Sequence, residues 1–68
     1  INLLKVQGNV SWHLHKERDK MIIVVKGRFS IYLEDQEATL EENEAFIIPR
    51  GLMHSATAQP EAWIIVIE

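Results

Sequence analysis

Two of the chain's three histidines sit two residues apart, as His13-Leu14-His15. On an extended strand, side chains at this spacing project from one face, roughly 7 Å apart for a rise of ~3.3 Å per residue. Two neutral imidazoles so placed can grip one divalent cation (Zn, Fe, Mn or Ni) through bonds of about 2.0–2.1 Å. Alone, the spacing describes two surface histidines on a wet strand equally well. The third histidine, His54, ends the stretch Ile47-Ile48-Pro49-Arg50-Gly51-Leu52-Met53. This reads as a strand, a rigid turn and re-entry into a new strand. Pro49 fixes φ, and Gly51 admits a positive φ before the chain turns back. Such a turn presents His54 at a strand start, where it can converge on the first pair.

The elements that must carry these groups are short and extended. Turn-forming residues recur at Gln7-Gly8-Asn9, Lys16 to Lys20, Lys26-Gly27, Glu34 to Gln36, Glu41 to Glu44, Pro49-Arg50-Gly51 and Gln59-Pro60-Glu61. Between them lie runs of four to seven residues rich in Ile, Val, Phe, Tyr and Trp. Even spacing of this kind is the pattern of an all-β sandwich or barrel. Parity predicts Phe29, Ile31 and Leu33 on one face of a strand, with Ser30 and Tyr32 opposite. It likewise sets Val10, Trp12 and Leu14 against Ser11, His13 and His15. The helix-friendly stretch from Leu33 to Ala45 has charges on every face and no apolar stripe. Met21 to Val25 and Ile64 to Ile67 are apolar on both faces and require cover on both sides. A second copy of the chain supplies that cover economically, so a homodimer is expected.

At 68 residues, the chain is read as one domain, residues 1–68, and it opens on Ile1 as a piece of a longer chain would. A domain this size buries only about 60% of its unfolded surface. With no cysteine, neither disulfides nor thiolate metal sites can add stability. The absence of cysteine fits a cytoplasmic setting. A net charge of −3 gives no basic patch for nucleic acid. No apolar run approaches the roughly 18 residues of a membrane span. Nor is there a glycine-rich phosphate loop, a Gly-x-Ser-x-Gly elbow or calcium-loop spacing.

Gly8, His13-x-His15, the charged turn after them and Gly27 resemble the first motif of the cupins. Asn43, Pro49-Arg50-Gly51 and His54 resemble the second, with asparagine where that motif opens on glycine. The resemblance covers Gly8 to Glu68. It implies a jelly-roll barrel (a double-stranded β-helix) of six to eight short strands, frequently dimeric, with a metal held at its mouth. His13, His15 and His54 would be metal ligands. The cupin pattern also places a glutamate ligand after the turn, and the residue in that register is Lys20. An ammonium cannot ligate and repels a dication. Asp19, one residue earlier, is the candidate replacement.

Two functions follow, from different classes. The first is a small metal-dependent enzyme of the oxygenase or isomerase kind. The second is a non-catalytic module that binds or senses a small carboxylate or sugar acid, with Lys20 as its charge partner and Tyr32 a further candidate contact. Trp12 and Trp63 are expected in the core or at the subunit interface.

Overall fold

The computed structural model describes residues 1–14 and 16–68. It contains six strands: β1 (Asn2–His13), β2 (Lys20–Gly27), β3 (Phe29–Leu33), β4 (Glu37–Leu40), β5 (Ala45–Ile48) and β6 (His54–Ile67). The described residues form no helix, and the helix-friendly stretch yields β4, paired antiparallel with β3. Pairing to a neighbouring strand here overrides a weak local preference.

The sheet runs β4-β3-β6-β2-β5, with β1 lying along β6. β6 is the hub. Its first half pairs with β3 (Leu33 opposite His54) and its second half with β2 (Met21 opposite Ile67). β1 follows it almost throughout, from His13 opposite His54 to Asn2 opposite Val66. This two-stranded ribbon breaks register once near its middle, where Val6 faces Ala62 and Gly8 faces Ala58. Gln59, Pro60 and Glu61 on β6 stand against Gln7 alone on β1, an excess of two residues, so Pro60 sits where no ladder N–H is needed. There the ribbon folds over, which closes the sheet into a barrel. Both ends of β6 therefore come to the open end, with Ala58 and Ala62, each 1% exposed, at the closed end.

Gly27 belongs to that closed end. It pairs with Ala62 at φ +91°, and a Cβ there would meet the Glu61 carbonyl oxygen at 2.6 Å. Asn43 explains the departure from the glycine of the second motif. Its φ is +71°, the conformation for which glycine is usual and which asparagine tolerates among the L-residues. Its N–H donates to the Val24 carbonyl at 2.8 Å, joining the β4–β5 turn to β2.

The core is aliphatic apart from Phe29, with Ile22, Val24, Phe29, Ile31, Leu33, Ile48, Ile64 and Val66 all buried. Phe29, Ile31 and Leu33 point inward as parity predicts, and Tyr32 points out. The parity read for Val10 to His15 does not hold. Val10 faces Ala56 and His13 faces His54, so β1 carries one extra residue between them. This bulge turns Val10 and His13 to the same side. Trp12, read as core or interface, is 51% exposed in the single chain, which takes it out of the core.

The two outer faces of the barrel differ. One carries Ser30, Tyr32, Thr39 and Thr57, with hydrogen bonds between Ser30 and Thr39 and from Thr57 to Asn9. The other carries Leu3, Met21, Ile23, Ile47, Ile65 and Ile67 on four adjacent strands. Leu3 is 60% exposed and Ile47 54%.

Candidate functional site

His13 and His54 are cross-strand partners at the open end of the folded ribbon. Their ring centroids lie 4.3 Å apart with planes inclined at 59°. Each ring is oriented in the same way. His13 Nδ1 is 2.8 Å from the Ser11 carbonyl oxygen, and His54 Nδ1 is 2.9 Å from that of Leu52. A carbonyl only accepts, so each Nδ1 carries the proton and donates. In the neutral imidazole this puts the lone pair on Nε2. A backbone acceptor on one ring nitrogen is the usual means of orienting a ligand histidine.

The turn before His54 forms as its residues require. Gly51 takes φ +77°, and the Leu52 N–H donates to the Pro49 carbonyl at 3.3 Å. His54 then enters β6 with 3% exposure. Asp19 is committed to the same turn, its carboxylate accepting from the Arg50 N–H at 3.0 Å.

Beneath the histidines lies a cavity of about 120 Å³. Among the described residues, His13, His54 and Lys20 are its polar lining, and nine apolar residues, among them Val6, Val10, Ile22 and Phe29, form the rest. Lys20 starts β2 opposite Ile48, next to the pairing of Met21 with Ile67, at the open end. The structure thus brings together His13, His54 and Lys20. It leaves out Asp19, which is exposed and does not line the cavity, and Tyr32. Tyr32 lines a shallow outer depression with Asn9, Arg28, Ser30 and Thr57, because Phe29, Ile31 and Leu33 take the inward positions of β3. His15 lies outside the described residues. The apolar lining from β1, above all Leu4, Val6 and Val10, was not foreseen from sequence. The signal available was the apolar Val6 and Val10 flanking Gly8.

Among the described residues, no group of three or more His, Cys, Asp or Glu side chains could hold a metal ion. The histidine pair has the right donor chemistry for one. Asp19, the candidate carboxylate, is bound to the turn and does not line the cavity, whereas Lys20 does.

The cupin domain family model matches residues 3–68. The chain belongs to the cupin domain family. A cupin-2 domain containing protein from Shewanella frigidimarina is 39% identical, with a TM-score of 0.94 over 97% of this chain and 65% of that one. KdgF from Halomonas sp. is 28% identical, with a TM-score of 0.76 over 94% of this chain and 64% of its own. The Bacillus subtilis protein YdbB is 34% identical over 55 residues, 79% of this chain and 49% of that protein. This cupin domain thus spans about half of the curated relative and about two thirds of the solved structures. The cupin domain has no helix long and apolar enough to cross a membrane among its described residues.

Proposed function

We propose that this cupin domain binds a small organic anion, with the carboxylate end held by Lys20, His13 and His54 and the remainder in the cavity below. One observation carries the reading. Among the described residues, a lysine and two histidines are the only polar side chains lining an otherwise apolar cavity at the open end of the barrel. An ammonium in that position is a natural partner for a carboxylate and offers three donors to it. Ligand pockets generally combine an apolar wall with a few convergent polar groups. The test compares simple monocarboxylates with the uncharged amides of the same shape, read by chemical-shift changes at His13 and His54. Carboxylates should move both signals and amides neither, and Lys20→Met should abolish the effect. Equal response to acid and amide would sink the reading.

A divalent metal (Zn, Fe, Mn or Ni) is the second reading, favoured by the two Nδ1–carbonyl bonds that set the Nε2 lone pairs. His13 and His54 would hold it together with His15. When bound, it would supply Lewis-acid or oxygen-activating chemistry for an oxygenase or isomerase. Metal content of protein purified without a polyhistidine tag, for wild type and His54→Ala, tests this directly. Stoichiometric metal lost in the variant supports it, and a metal-free wild type overturns it.

The proposed protein partner is a second copy of this chain. The polar outer face is suited to water, whereas the apolar one spans four strands, about 15 Å at ~4.8 Å spacing. Monomers seldom leave such a patch exposed. A two-fold axis lets the patch cover itself, with no different partner needed. The cysteine-free sequence supports a cytoplasmic setting.

A further inference from the structure

The proposed anion site leaves open which anions fit, and the shape of the cavity narrows that choice. Its volume is about 120 Å³, and nine of the twelve described residues that line it are apolar. An engineered apolar cavity of about 150 Å³ takes up benzene, a molecule of six heavy atoms. The space here therefore suits about four or five carbon atoms, the carboxyl carbon included. The polar residues are confined to one end. His13, His54 and Lys20 stand where the ribbon ends meet, and the fold-over at Ala58 and Ala62 closes the opposite end. Between the two lie Val6, Val10, Ile22, Phe29, Ile64 and Val66, which bring no donor or acceptor side chain.

We propose that the cavity selects a short aliphatic monocarboxylate of about four or five carbons, its alkyl tail pointing toward the closed end. This rests on the anion reading given above and adds the ligand's length and its single charge. A second carboxylate on the tail would lie among apolar side chains without a partner, which is strongly unfavourable. A sugar acid would leave several hydroxyls in the same position. A tail much longer than five carbons exceeds the space and has to displace core residues packed at close to crystal density. Each methylene that does fit should raise affinity about fourfold.

The experiment titrates the intact protein with acetate, propionate, butyrate, pentanoate, octanoate and succinate, following the His13 and His54 signals by NMR. Affinity should rise stepwise from acetate to butyrate or pentanoate, then fall at least tenfold for octanoate. Succinate should bind at least tenfold more weakly than butyrate. Val10→Ala, at a half-buried position, should move the optimum about one carbon longer. Ala56→Val should shorten it, each variant being checked for a native amide spectrum first. Equal affinity at every length, or succinate matching butyrate, would overturn the size selection while leaving anion binding intact. No response to any acid would overturn both.

Discussion

The Arg50 N–H donates to the Asp19 carboxylate at 3.0 Å, joining the end of one connecting segment to the turn that delivers His54. The bond gives Asp19 a structural task. Asp19→Ala should lower stability by up to about 1 kcal/mol, since the pair is solvent-exposed. It should leave Zn(II) and butyrate affinities within twofold of wild type. Urea denaturation and calorimetric titration measure the two effects. A tenfold loss of metal affinity would return Asp19 to the ligand set.

Lys20→Glu reverses the charge at a residue that lines the cavity with both histidines. The variant should bind Zn(II) or Mn(II) at least tenfold more tightly, a difference of 1.4 kcal/mol. A two-unit charge change close to a dication exceeds that at an effective dielectric of ~20. The same variant should lose carboxylate binding. Equal metal affinities in titration calorimetry would mean that the Lys20 ammonium stands clear of the metal position.

Two of the positive-φ positions, Gly27 and Asn43, should respond differently to alanine. Gly27→Ala adds a Cβ 2.6 Å from the Glu61 carbonyl oxygen as well as the strain of φ +91°. A loss of about 2–4 kcal/mol is expected, enough to unfold much of a domain this small. Asn43→Gly should be nearly neutral, and Asn43→Ala should cost about 1 kcal/mol. Denaturation midpoints for the three variants check the order.

Light scattering should give twice the monomer mass at micromolar concentration. Ile23→Lys, in the middle of the apolar outer face, should shift the protein to monomer while preserving its far-ultraviolet spectrum. Tyr32→Lys, on the polar outer face, should leave the mass unchanged. A wild-type monomer would remove the second copy as partner.

Much of this site was legible because its cues are local. Pro49 and Gly51 specify their turn within four residues, and Phe29, Ile31 and Leu33 declare the inner face of β3 by alternation alone. The register that set Lys20 beside the histidines came from the resemblance to the first cupin motif. What failed was whatever depended on pairing between distant segments. Alternation assumes one residue opposite one, so the bulge between Val10 and His13 left no trace in composition. The strand character of β1 before Val10, and the passage of β6 through Pro60, come from pairing between the first and last strands. Asn43 looked like a departure from the motif, yet its side chain tolerates the glycine conformation.

The central position of β6 has a consequence for synthesis. Before His54 is made, the pairings available are β2 with β5 and β3 with β4. β1, the earliest of these six strands, finds its ladder partner among the described residues in β6. The nascent domain therefore carries an unpaired edge and bare aliphatic strands until the fourteen residues of β6 leave the ribosome. Folding must then wait for contacts between sequence-distant segments, the slow class of closure. Over that interval, exposure to aggregation is set by the order in which the strands emerge.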